Sequence, residues 1–94
     1  STDAKLVFIY MNGCSWCEKF KPHWDQFVAT YGPSLSTKGV ELVSYERNVQ
    51  ESKQYNDYVT GYPTVLLSKG KSVTVFDGER TSEGLSKFMT QNGL

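Results

Sequence analysis

Two cysteines stand together in this chain as Cys14-Ser15-Trp16-Cys17. If a helix starts there, two intervening residues put the sulfurs about one turn apart. The flanks fit such a start. An apolar run, Leu6 to Met11, comes before; Gly13 allows a close backbone turn; and Ser15-x-x-Glu18 has the pattern of a capping box. A sulfur at a helix N-terminus meets unpaired N–H groups and the positive end of the macrodipole, and both favour thiolate over thiol. Cys14 is therefore the expected nucleophile toward a disulfide. Cys17, one turn on, is the expected resolving thiol that attacks the resulting mixed disulfide.

Two other uses of the pair are weaker. A structural disulfide would close a loop too small to remove much unfolded-state entropy. A zinc site needs about four ligands, and the single histidine, His23, lies nine residues past Cys14, about 180° around a helix. No metal is expected within one chain, although two chains can share one through two cysteines each.

The elements that position the pair can be read outward from it. Lys5 to Tyr10 is short and almost continuously apolar, which suits a central strand buried on both faces. After the cysteines, Phe20, Trp24, Phe27, Val28 and Tyr31 recur at helical spacing, giving a core-facing stripe on a helix expected to stop at Gly32-Pro33. Pro22 interrupts that stripe and calls for a kink, since it removes a backbone hydrogen bond. Val40 to Tyr45 reads as a second strand, parallel to the first through a right-handed crossover. Val49 to Asp57 is expected to form a short helix. Thr64 to Ser68 and Ser72 to Phe76 form a hairpin around Lys69-Gly70-Lys71. Thr81 or Ser82 caps a last helix carrying Leu85, Phe88 and Met89 on one face. The order is β-α-β-α-β-β-α.

Ninety-four residues without repeat or linker predict one domain over residues 1–94. Ten basic residues balance ten acidic ones, so nothing points to nucleic acid or to an anionic membrane surface. The apolar run is too short to span a bilayer, and Ser1 to Lys5 has no apolar signal core. A monomer is expected, with the cytoplasm as the default compartment. A reactive Cys-x-x-Cys occurs in reducing and oxidising locations alike.

With these residues placed, the chain resembles the thioredoxin superfamily, and within it the protein disulfide isomerase branch. The matches are Cys14-Ser15-Trp16-Cys17, Pro22 eight residues after the first cysteine, Pro22-His23-Trp24, Val59-Thr60-Gly61-Tyr62-Pro63-Thr64, and Phe76 to Thr81 before the last helix. The resemblance implies the thioredoxin-like α/β fold in its minimal, glutaredoxin-sized version, a four-stranded mixed sheet flanked by three helices. It also implies that Tyr62-Pro63 is a cis bond lying against the cysteines, with Tyr62, Pro63 and Thr64 as the substrate-docking edge.

The sequence departs from that pattern in several places. Phe8 stands where the family usually has a buried Asp or Glu, and Ser44 aligns with the lysine that often accompanies it. Cys17 would then exchange its proton with water or another group. Ser15-Trp16 replaces the Gly-Pro or Gly-His between the cysteines, and Glu18 replaces a frequent lysine. Trp16 supplies no charge to a thiolate, but offers either an apolar substrate contact or a cover for the site edge. These changes predict a reduction potential nearer the thioredoxin end, roughly −270 mV, than the isomerase value, roughly −180 mV.

The function expected is dithiol-disulfide exchange on protein substrates, with electrons passing to or from a separate reductase or oxidase and without a cofactor. A glutathione-dependent, glutaredoxin-like activity is the second reading: the size and strand order resemble the glutaredoxin-like minimal fold, although Asp77-Gly78-Glu79-Arg80 only loosely resembles the Gly-Gly and acidic pair with which glutaredoxins bind glutathione. A non-catalytic peptide-binding module using Trp16 and Tyr62 is the third.

Overall fold

A computed structural model describes residues 3–94. Strand β1 (Ala4–Tyr10) leads into helix α1 (Ser15–Thr37), strand β2 (Val40–Glu46), a 3₁₀ segment (Gln50–Tyr58), strands β3 (Thr64–Lys69) and β4 (Ser72–Val75), and helix α2 (Ser82–Gln91). The strands lie in the order β2-β1-β3-β4. β1 pairs parallel with β2 and antiparallel with β3, and β3 pairs antiparallel with β4. This is the thioredoxin-like mixed sheet with three helical elements.

β1 is central, and its residues alternate between two cores, as the strand period requires. Leu6 and Phe8 pack with Phe20, Trp24 and Phe27 of α1 and Leu85 and Phe88 of α2. Val7 and Ile9 pack on the other face with Tyr55 and Leu66. Phe8 sits opposite Ser44 on β2 and Val65 on β3. It is 2 % exposed, with ring centroids 5.2 Å from Phe20 and 5.3 Å from Trp24.

Three local features differ from the sequence expectation. Helix α1 does not stop at Gly32-Pro33; it continues to Thr37 with both Pro22 and Pro33 inside it. Leu35, one turn beyond Tyr31, is buried in the core. That added apolar contact offsets the roughly 3 kcal/mol cost of a proline within the helix. The helix is capped by Lys38, and Gly39 beyond it has a φ of +83°, the left-handed conformation common just past a helix C-terminus.

The polar stretch after β2 forms a 3₁₀ helix rather than an α-helix. Its buried residues, Ser52 and Tyr55, recur at three, the repeat of a 3₁₀ helix. The Ser52 hydroxyl donates to the carbonyl oxygens of Val49 at 2.8 Å and Arg47 at 3.0 Å, which tethers the segment to the end of β2.

The capping pattern at Ser15-x-x-Glu18 is not used. The N-cap is Cys14, one residue earlier, with extended backbone angles of φ −88° and ψ 115°. Gly13, at φ +80°, completes the turn that puts Cys14 in that conformation, and only glycine enters that region without strain. At the other helix the cap is Thr81, whose hydroxyl oxygen accepts the Gly84 N–H at 3.0 Å.

Candidate redox site

The end of β1 and the start of α1 bring the two cysteines to the edge of the core. Cys14 donates its N–H to the Met11 carbonyl at 3.2 Å, and its own carbonyl accepts the Glu18 N–H at 3.1 Å. The Cys17 backbone N–H points at the Cys14 sulfur, N to Sγ 3.2 Å. One of the orphan donors of the helix N-terminus is therefore satisfied by sulfur in place of the usual side-chain oxygen. Both thiols are free, and both residues are buried.

Electrostatics separate the two sulfurs. The hydrogen bond from the Cys17 side chain holds the Cys14 thiol below its ordinary value. The backbone of Cys17 and of Trp16 adds to this, while burial and the Glu18 charge oppose it. Burial pushes the Cys17 thiol up to about 11, reinforced by its hydrogen bond to Cys14 and by the Cys14 charge; the Met11 backbone and the Arg80 guanidinium pull the other way. The pair thus divides into one thiol disposed to ionise and one disposed to keep its proton.

The loop before β3 comes up against the nucleophile. The Tyr62–Pro63 peptide bond is cis, and the Tyr62 carbonyl oxygen lies 3.8 Å from the Cys14 sulfur. Pro63 and Thr64 are buried, whereas Tyr62 is half-buried. The Thr64 hydroxyl donates to the Gly61 carbonyl at 2.5 Å, which closes the loop on itself. Tyr62, Pro63 and Thr64 line one wall of a groove of about 380 Å³, with Phe76, Asp77 and Arg80 on the other. Trp16 is 60 % exposed, and the Lys19 ammonium lies 4.8 Å from its ring centroid. Pro22 lies exposed within α1, where the lack of an N–H leaves the Glu18 carbonyl without its usual helical partner.

Comparison with known proteins agrees with this geometry. The family profile described as Thioredoxin matches residues 1–91. The chain belongs to the thioredoxin family. It is 34 % identical over 89 residues to a thioredoxin domain-containing protein of Theileria parva, covering 94 % of this chain and 38 % of that protein. It is 29 % identical over 96 residues to the protein disulfide-isomerase of Humicola insolens, covering 98 % of this chain and 18 % of that one. The chain thus spans well under half the length of these curated relatives. Among solved structures, the J-Trx1 fragment of ERdj5 superposes with a TM-score of 0.79 at 21 % identity, over 96 % of this chain and 43 % of that one. The first thioredoxin domain of mouse protein disulfide-isomerase A4 gives 0.77 at 21 %, over 95 % and 62 %. At those identities the superpositions carry the fold alone.

Two residues near the site have no part in the thiol chemistry expected from the sequence. Arg80, on the loop before α2, bears on Cys17 electrostatically; a single cation in a loop is no signal until the fold brings it toward the cysteines. Glu46, at the end of β2, accepts the Asn48 N–H at 2.7 Å and the Asn12 N–H at 3.5 Å, linking the turn before Cys14 to the edge strand. No helix among the described residues is long and apolar enough to cross a membrane.

Proposed function

We propose that this chain exchanges dithiol and disulfide with protein substrates, with Cys14 as nucleophile and Cys17 as resolving thiol. The observation that carries the reading is the Cys17 N–H held 3.2 Å from the Cys14 sulfur, which favours the thiolate at the one position facing the Tyr62 carbonyl. Substrate in extended form would lie along Tyr62, Pro63 and Thr64, with Trp16 as an added apolar contact. The Cys14 thiolate attacks a substrate sulfur and forms a mixed disulfide. Cys17 then attacks Cys14, which releases the substrate thiol and leaves the Cys14–Cys17 disulfide for a separate reductase to reopen. Run in reverse, with an oxidase, the same steps oxidise a substrate. A monomer acting at the reducing end of the scale fits the expectation of a cytoplasmic setting.

The test is insulin reduction with dithiothreitol as electron source. Wild type should accelerate precipitation of the insulin chains, and Cys14→Ser should not differ from the uncatalysed reaction. Equal rates for the two proteins would refute the reading and leave a peptide-binding module. The groove between Tyr62-Pro63 and Asp77-Gly78-Arg80 favours a second reading, exchange with glutathione. It predicts that Cys17→Ser incubated with oxidised glutathione gains one glutathione by mass.

A further inference from the structure

Resolution requires Cys17 to lose a proton, yet Cys17 is 4 % exposed and its immediate polar surroundings favour the thiol. Some group must take that proton. On the side of Cys17 toward β1 and β2 lies a cavity of about 360 Å³, lined by Cys17 together with Phe8, Tyr10, Glu18, Lys21 and Ser44, among others. Its volume is many times the roughly 30 Å³ that a water molecule occupies in the liquid, and its walls carry several polar groups, so it can hold water in contact with them. Glu18 and Ser44 are both exposed, which makes the cavity continuous with solvent.

The titratable and charged groups that line this cavity with Cys17 are Glu18 and Lys21 on α1 and Tyr10 on β1; Cys14 and, from the loop before α2, Arg80 act on the Cys17 thiol itself. Cys14 is bonded to substrate at this step. Arg80 is a cation with no acceptor. The Lys21 ammonium is tied to the Asp25 carboxylate at 3.1 Å, and it too is a donor only. Tyr10 carries a phenol, whose oxygen can donate and accept but is a far weaker base than a carboxylate. Glu18 is the carboxylate among these groups, and an ionised carboxylate only accepts. Phe8, on the cavity wall, offers no polar atom at all.

We propose that Glu18 is the acceptor for the Cys17 proton in the resolving step, reached through the cavity that both residues line. This rests on the exchange chemistry proposed above. In the step, the Cys17 sulfur bonds to the Cys14 sulfur as the Cys14–substrate bond breaks. The electron pair of the broken bond leaves on the substrate sulfur, and the Cys17 proton passes to Glu18 and on to solvent or to the departing thiolate. The protein dithiol is oxidised to the disulfide and the substrate disulfide is reduced, so no further oxidant or base is consumed. The same carboxylate opposes ionisation of Cys14, so its removal acts on the two steps with opposite sign.

The experiment uses an aromatic disulfide that releases a coloured thiolate, dithiobis-nitrobenzoate, mixed with reduced protein in stopped flow. Attack by Cys14 releases the first thiolate and resolution by Cys17 the second. Glu18→Gln should leave the first phase no slower than wild type and slow the second about tenfold, below the usual range for a positioned general base. Added acetate should restore the second phase in proportion to its concentration, and Glu18→Asp should retain part of it. An unchanged second phase in Glu18→Gln, or both phases slowed together without rescue by acetate, overturns the proposal. Cys17→Ser serves as the control for the reading beneath it: it should give the first phase only. If wild type releases no second thiolate, the exchange reading and this proposal fall together; if wild type releases both but Glu18→Gln is indifferent, only the proposal falls.

Discussion

The backbone N–H of Cys17 donates to the sulfur of Cys14 across 3.2 Å, so the residue that caps helix α1 is also its expected nucleophile. A capping oxygen would do no more than satisfy an orphan donor. A capping sulfur gains ionisation in return, because the N–H favours its charged form. The resolving residue thereby supplies the backbone group that activates its partner.

The split between the two thiols sets a pH dependence. A depressed value for Cys14 means that its thiolate persists at lower pH than an ordinary thiol, and is lost only as pH falls through that depressed value. Alkylation of Cys14 by iodoacetamide, followed by mass in Cys17→Ala and in wild type, should titrate below the ordinary thiol value of 9.0 in wild type. It should shift upward in Cys17→Ala, which leaves no side-chain donor beside the Cys14 sulfur. Cys17 should titrate near 11 in wild type and lower in Cys14→Ala, because both contributions from Cys14 raise it. A Cys14 midpoint unaffected by Cys17→Ala would contradict the assignment.

Arg80 reaches the site from the loop before α2, and the position of that loop depends on Gly84. A Cβ at Gly84 would overlap the carbonyl oxygen of Glu79, one residue from Arg80. Gly84→Ala should therefore destabilise the fold by about 1–3 kcal/mol, the range for forced overpacking. It should also move Arg80 away and raise the Cys17 value further. Urea unfolding and the alkylation titration check the two effects separately.

Much of this was legible in the residue types. Cys14 and Cys17 announce their chemistry, the run from Leu6 to Ile9 reads as a doubly buried strand, and Tyr62-Pro63-Thr64 stands out once it is set beside the cysteines. What was not legible is non-local. Continuation of α1 through Pro33 depends on Leu35 finding the core. The choice of Cys14 over Ser15 as cap depends on the φ of Gly13. The cavity behind Cys17 draws walls from β1, α1 and β2, and no local pattern joins Phe8, Glu18 and Ser44. Periodicity also could not separate an α-helix from a 3₁₀ helix over residues 50–58, because only Ser52 and Tyr55 mark the buried side.

Trp16 carries an expectation about substrate size. An indole that is 60 % exposed contributes little to the core, so Trp16→Ala should change stability by less than about 0.5 kcal/mol. It should raise KM for insulin while leaving the reaction with a small aromatic disulfide unchanged. A loss of equal size on both substrates would instead assign Trp16 to the chemistry.

Phe8 is buried and touches Tyr10, Phe20 and Trp24. Phe8→Ala should cost about 3–5 kcal/mol, as expected for a large aromatic removed from a packed core. Thermal unfolding checks it, and a cost under about 1 kcal/mol would mean that the core relaxes around the gap.

The reduction potential gathers these contributions into one quantity. Trp16 adds no charge to the Cys14 thiolate and Glu18 opposes it, so the dithiol form is stabilised less than in a strongly oxidising pair. Equilibration with glutathione buffers, followed by tryptophan fluorescence, should give a value nearer roughly −270 mV than roughly −180 mV. A value above the second figure would mean that the backbone alone stabilises the thiolate far more than this geometry suggests.

The most direct test of the central claim is to trap the intermediate. Cys17→Ser, incubated with a disulfide-bonded protein such as insulin and analysed by mass without reductant, should carry the substrate covalently on Cys14 and release it on adding dithiothreitol. Cys14→Ser treated in the same way should carry none. Substrate trapped equally on both variants, or on neither, would contradict the assignment of Cys14 as nucleophile and Cys17 as the thiol that resolves it.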